Sequence, residues 1–201
     1  MKKIFLSACV FVSSVCASDF EKLKTTQECM QCDLSGADLT QIDTKNINIE
    51  SANLALSTLS GCDFSNAKIE RVNFAEADAE GIKVDGIIIY YTNWSGANLK
   101  NATFVNTDAK AAVFENADLT DVNMSGARLW ADNFQGAILN NTNFENAQLG
   151  QANFINTDLT KTKLDGAIFW QTKLQGATLL KKDCEAAKLD GASMDENTKC
   201  I

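Results

Sequence analysis

The chain has 201 residues, with 26 acidic and 18 basic side chains and a net charge of −8. It contains no histidine and no proline, which excludes Ser-His-Asp and Cys-His catalysis, histidine-bearing metal sites and Pro-rich linkers. The acidity makes it a poor match for nucleic acid phosphates, while a hydrophobic fraction of 45 % supplies a real core.

Met1-Lys2-Lys3 is a short basic start, and Ile4 to Cys16 is a mostly apolar run too short to span a bilayer. Val15-Cys16-Ala17 places small residues at the −3 and −1 positions of a cleavage site, with Ser18-Asp19 beyond. Residues 1–17 therefore read as a secretory signal peptide, and the mature chain as a periplasmic or secreted protein with no membrane attachment. Removal of Lys2 and Lys3 moves the net charge to −10. Leu6-Ser7-Ala8-Cys9 offers a second reading, lipidation of Cys9. Residues 18–31 form a cap. Within it, Asp19 to Glu28 has an N-cap aspartate, a helix-forming centre and Phe20 and Leu23 three apart, which predicts a short helix over the start of the repeat.

From Cys32 to Glu196 the sequence divides into 33 pentads without insertion: CDLSG, ADLTQ, IDTKN, INIES, ANLAL and onward. The third position is almost always large and apolar, from Leu34 to Leu189 and Met194, with Thr44 the one plainly polar exception; the first is mostly Ala, Thr, Val or Ile, and the second often Asn or Asp. A period of five fits neither the 3.6 of a helix nor the 2.0 of a strand. It fits a chain that turns a corner every five residues and points one large side chain inward per edge. Ala37-Asp38-Leu39, Ala97-Asn98-Leu99, Ala117-Asp118-Leu119 and Ala152-Asn153-Phe154 resemble the A(D/N)LXX motif of the pentapeptide repeat family. That resemblance implies an all-β fold, a right-handed quadrilateral parallel β-helix with four pentads to a coil. Local distortion is expected at Thr44, Asp132 and Lys182, where the pattern lapses.

Inward aromatic residues support four sides independently. Phe64, Phe74, Trp94, Phe104, Phe114, Phe134, Phe144 and Phe154 fall on every second pentad, with Phe169 the exception. Rings therefore belong to two opposite walls. At about 4.8 Å per coil, some eight coils make a rod on the order of 40 Å long. Glycines gather at the fifth position, where the corner calls for positive φ. Asn and Asp at the second position, such as Asp38, Asp78, Asp118 and Asp158, are expected to bond turn backbone rather than ligand. Residues 197–201 are a tail folded across the last coil.

Five cysteines follow the cleavage site. Cys29–Cys32 and Cys184–Cys200 are candidate disulfides for cap and tail in an oxidising compartment. Cys62 is left as a buried free thiol. The Cys29-x-x-Cys32 spacing lacks the βαβ context of redox chemistry and the extra ligands of a zinc site, so no metal, cofactor or catalytic residue is assigned. Function then belongs to the outward surface. Tyr90, Trp130 and Trp170 all hold the outward fourth position, 40 residues apart on one wall, with Ile88, Tyr91 and Ile168 beside them and Lys110 and Arg128 between. Successive rings two coils apart, about 9.6 Å, are expected not to stack. These features point to an exported, non-enzymatic scaffold binding a protein partner or a second copy of itself through the aromatic wall. A carbohydrate-binding solenoid is one alternative. Another is an acidic DNA mimic acting on topoisomerases, since some members of the resembled family mimic duplex DNA and protect or inhibit gyrase.

Overall fold

The computed structural model describes residues 14–201. The apolar run up to residue 13 and the Cys9 lipidation reading lie outside them. Helix α1 (Ser14–Thr26) comes first, beginning earlier and ending sooner than the sequence predicts. Its Cys16, Phe20 and Leu23 are buried in one apolar cluster with the first coil. Asp19 Oδ2 accepts from the Asp33 N–H (2.9 Å) and ties helix to coil.

Beyond α1 the chain winds as a four-sided coil of twenty residues. Parallel bridges link residues twenty apart, Asp33 to Asn53, Asn53 to Asn73, Thr58 to Asp78 and Lys83 to Thr103 among them. Each wall contacts its neighbours mainly through its second residue. The regular strands are consequently few and short: β1 (Asp108–Lys110) and β2 (Arg128–Trp130), paired in parallel, and β3 (Thr178–Leu179) with β4 (Lys199–Cys200).

Hydrogen bonding explains the motif position by position, since every buried backbone donor needs a partner. In the pentad Cys32–Gly36, the third and fifth N–H groups donate to the next coil, Leu34 to the Asn53 carbonyl (2.7 Å) and Gly36 to that of Ala55 (2.9 Å). In the following coil, the second-position Asn53 donates back to the Cys32 carbonyl (2.9 Å). The first-position Ala37 closes a local turn onto Leu34 (3.0 Å). The fourth-position donor is the one left over, and the second-position side chain takes it: Ser35 N–H to Asp33 Oδ1, Thr40 to Asp38, Thr120 to Asp118. That is why Asn and Asp recur there. On the first wall the asparagines also bond one another, Asn73 Nδ2 to Asn53 Oδ1 (2.9 Å) and Asn93 to Asn73 (3.0 Å). The fifth residue turns the corner in the left-handed region, at Gly166 (φ 73°) and equally at Asn106 and Asn146. Asparagine tolerates that conformation better than other side chains.

First- and third-position side chains fill the interior. Phe74, Trp94, Phe114, Phe134 and Phe154 line the first wall, and Phe64, Phe104 and Phe144 the opposite one; all are fully buried. Rings on one wall stack coil over coil, Phe114 on Phe134 at 5.0 Å and Phe134 on Phe154 at 4.8 Å. Rings from opposite walls meet edge to face, as Phe104 does Phe114 (6.0 Å).

The irregular positions each have a local cause. Thr44 is buried and its hydroxyl donates to the Asp63 carbonyl (2.9 Å) while accepting the Asp63 N–H. The coil, though not the five-residue frame, is interrupted before Glu196. Helix α2 (Lys181–Leu189) replaces two walls of the last coil. Lys182 lies on its first turn, paired with Asp165 (2.7 Å), and Leu189, expected inward, is 89 % exposed. Ten residues of helix and turn substitute for ten of coil, so Ser193 still bridges Lys173 twenty residues back. The tail returns as β4, and Cys184 on α2 and Cys200 on β4 sit at bonding distance (1.97 Å), as do Cys29 and Cys32 (2.04 Å).

Asp132 is wholly buried at an inward first position. Its Oδ1 accepts the Ala112 N–H (2.9 Å), displacing the usual turn bond, and Oδ2 has no hydrogen-bond partner among the described residues. Burial pushes its carboxyl well above the ordinary range, and the Asp108 carboxylate adds to that. A raised folded-state pKa means stability is complete below the unfolded pKa and falls as pH rises towards the folded one. Asp132→Asn, which resembles the protonated acid, is expected to raise the melting temperature at pH 7, with the gain vanishing near pH 3. An equal gain at both values would place the effect in packing instead. For the core, Phe104→Ala or Phe144→Ala should cost about 3–5 kcal/mol, whereas Thr120→Ala or Ser125→Ala should stay within roughly 0.5 kcal/mol. Denaturation midpoints separate the two groups.

Candidate functional site: the aromatic wall

The fourth wall begins at Ile47. Its second-position column descends through Ile88, Asp108, Arg128, Gln148 and Ile168, joined by parallel bridges. Its fourth-position column runs Tyr90, Lys110, Trp130, Gly150 and Trp170. Between residues 47 and 171 this wall carries Lys68, Arg71, Lys110 and Arg128 against Glu50, Glu70 and Asp108. On a chain of net charge −8 it is therefore a wall without net acidity.

The predicted residues form two groups. Towards the N-terminal end, the Tyr90 hydroxyl donates to Asp108 Oδ2 (3.2 Å), which also accepts from Arg128 Nη1 (3.4 Å). Partial burial and the Asp108 carboxylate hold the Tyr90 phenol above its usual pKa. Tyr91 at the corner is about half exposed, and the Arg71 guanidinium lies over its ring, 5.6 Å from the centroid. Ile88 is exposed beside them.

Towards the other end stand Trp130, Trp170 and Ile168. The expectation that the two indoles are too far apart to touch is wrong. Their centroids are 5.2 Å apart with planes 24° from parallel. The cause is Gly150, midway between them. A Cβ built on Gly150 would lie 2.5 Å from Trp130 Cζ3 and 2.6 Å from Cε3. The Trp130 ring therefore covers the bare Gly150 backbone, and the indoles meet across the intervening coil. They remain 38 % and 43 % exposed. The third tryptophan, Trp94, is buried, and its Nε1 donates to Thr92 Oγ1 (3.0 Å).

Sequence reasoning missed Gly150, although a signal was present: it is the one glycine among eleven that is not at a fifth position. It also missed what lies around the corner. Ala131, Asn133, Gln151, Asn153, Gln171 and Lys173 line a groove of roughly 360 Å³ next to the indoles. Gln151 Nε2 donates to Gln171 Oε1 (3.1 Å), and Asn153 Nδ2 to Asn133 Oδ1 (2.9 Å).

The cysteines are placed as follows. Asp19 has a carboxylate oxygen within 4.8 Å of the Cys29 and Cys32 sulfurs. The two sulfurs are themselves at bonding distance and Asp19 Oδ2 is engaged by Asp33 N–H, so these atoms are used in holding the cap. Cys62 is buried, and burial pushes its thiol up to about 11.

Comparison with known proteins agrees with this architecture. No curated protein matches the sequence. Among solved structures, full-length QnrB1, described as a plasmid-mediated fluoroquinolone resistance protein, is similar with a TM-score of 0.50 at 18 % identity, over 84 % of this chain and 82 % of that one. HetL, a pentapeptide repeat protein of the cyanobacterium Nostoc sp. strain PCC 7120, gives a TM-score of 0.42 at 25 % identity, over 86 % and 82 %. These are right-handed quadrilateral β-helices. A family model for pentapeptide repeats matches in eight copies across residues 32–71, 47–86, 92–130 and 133–171. With four-sided coils of twenty residues and that match over most of its length, the chain belongs to the pentapeptide repeat family.

Proposed function

We propose that this protein is an exported, non-enzymatic scaffold that holds its partner on the aromatic wall. One observation carries the reading: Trp130 and Trp170 are packed against each other yet remain some two-fifths exposed, on the wall that lacks net acidity. Trp and Arg dominate the energetics of binding faces, and Arg128 stands two residues from Trp130. A purely structural wall has no need of two indoles in water. The walls between Ile47 and Leu179 carry no inserted loop, and this favours a display surface over a catalytic cleft.

Export rests on Lys2-Lys3, the apolar run and Val15-Cys16-Ala17. Cleavage after Ala17 would remove the first residues of α1, with Cys16, and leave Phe20 and Leu23 to seat the shortened helix. Two cysteine pairs at bonding distance suit an oxidising compartment. Intact-mass analysis of protein from the envelope or medium is expected to show Ser18 as first residue and the loss of four hydrogens. A diacylglycerol adduct on Cys9 would establish the lipoprotein route instead.

The wall is tested by Trp130→Ala with Trp170→Ala. Partly exposed rings and one aromatic contact are worth far less than a core ring, so the double variant should lose about 1–2 kcal/mol and keep its fold. Partner capture from the exported fraction should disappear. Destabilisation as large as that of Phe104→Ala would assign the rings to the fold, and unchanged capture would remove the wall from the function.

A further inference from the structure

The groove beside the indoles allows the class of partner to be named, on the premise that the aromatic wall is the contact face. We propose that the corner formed by Trp130, Trp170, Gln151, Gln171 and Lys173 binds a glycan chain lying along the rod.

Size is the first argument. The wall spans about six coils, roughly 30 Å at 4.8 Å each, and is on the order of 10 Å wide. That is about 300 Å² per partner, well under the roughly 800 Å² of a stable protein interface. A second copy seated on this wall alone falls short, whereas a slender polymer fits. An extended peptide would look for an unpaired sheet edge, but most second-, third- and fifth-position donors of this wall are already engaged between coils, as Ala131 N–H to Gly150 carbonyl and Gln151 N–H to Trp170 carbonyl are.

Chemistry is the second. A sugar ring has an apolar C–H face and a rim of hydroxyls, so it needs an exposed aromatic surface flanked by neutral donors and acceptors. The corner supplies both. Four of the six residues lining the groove are primary amides, with one ammonium and no carboxylate, on a chain whose acidic residues outnumber its basic ones. The Gln151–Gln171 bond leaves Gln151 Oε1 and Gln171 Nε2 without a protein partner among the described residues, and the Lys173 ammonium is likewise unpaired there. These groups lie along the corner at successive coils, next to the indoles. One ammonium is too little charge for a nucleic acid backbone.

The full mature chain, disulfides intact, serves for the test. Its emission is titrated with cellohexaose and chitohexaose, and its co-sedimentation is measured with purified peptidoglycan sacculi. Trp94 is buried and contributes a constant background. At least one soluble probe is expected to give a saturable shift, or the sacculi to pull the protein down; binding to the sacculi alone identifies a wall polymer as the source. Gln151→Ala with Gln171→Ala, which leaves both rings in place, should weaken binding at least tenfold, and Trp130→Ala with Trp170→Ala should abolish it. If none of the three probes binds, the glycan is overturned, while capture of a protein through the indoles would leave the wall as contact face. If the glutamine variant binds like the wild type, the groove is not part of the site. A concentration-dependent dimer lost in the tryptophan variant would make a second copy the occupant and overturn the proposal.

Discussion

Hydrogen bonds between residues twenty apart determine the rest of this molecule. Three of the five N–H groups in a pentad reach adjacent coils, one closes a local turn, and the fourth-position group depends on the Asn or Asp two residues earlier. Proline is disfavoured because four of the five positions commit their donor to the ladder or the turn. The same ladder holds the coils at strand spacing, which brings the inward rings of one wall to stacking distance without further adjustment. It also limits variation: with the first and third positions committed inward, only the second, fourth and fifth can carry a function.

The repeat made most of this legible. Inward columns, the pairing of aromatic walls and the corner conformation follow from a residue's place in the five-residue frame alone. Helix α2 was hidden because its ten-residue segment preserves that frame, so Lys173 and Ser193 keep their relation. Counting pentads cannot reveal a segment that respects the count. Composition held the clue, since Lys181-Lys182-Asp183-Cys184-Glu185-Ala186-Ala187-Lys188 puts charge at an inward position and favours helix. The indole contact was hidden for a different reason. The frame fixes where Cα atoms lie, while the tryptophan rings reach well beyond them, and their meeting depends on the missing side chain of Gly150.

Fold and site thus draw on different properties of the same residues. Second-position polar groups on the first wall satisfy one another and the turns. On the fourth wall the corresponding positions hold Ile88, Asp108, Arg128, Gln148 and Ile168, of which Asp108 and Arg128 pair exposed side chains. Acidic residues keep to the other walls in excess, leaving the aromatic wall near neutrality. Asp132, at the inward position two residues after Trp130, perturbs the turn bonding just behind this surface.

The Gly150 gap gives the two levels of organisation different tolerances to change in length. Duplicating one whole coil of twenty residues between Trp130 and Trp170 would leave every ladder bond with an equivalent partner, and the rod would simply grow. The indoles, however, would then stand three coils apart with two layers between them, beyond mutual reach. Lineages could lengthen or shorten this rod freely at either side of residues 130–170, but that interval is a fixed ruler, set by the reach of two side chains and not by the architecture that carries them.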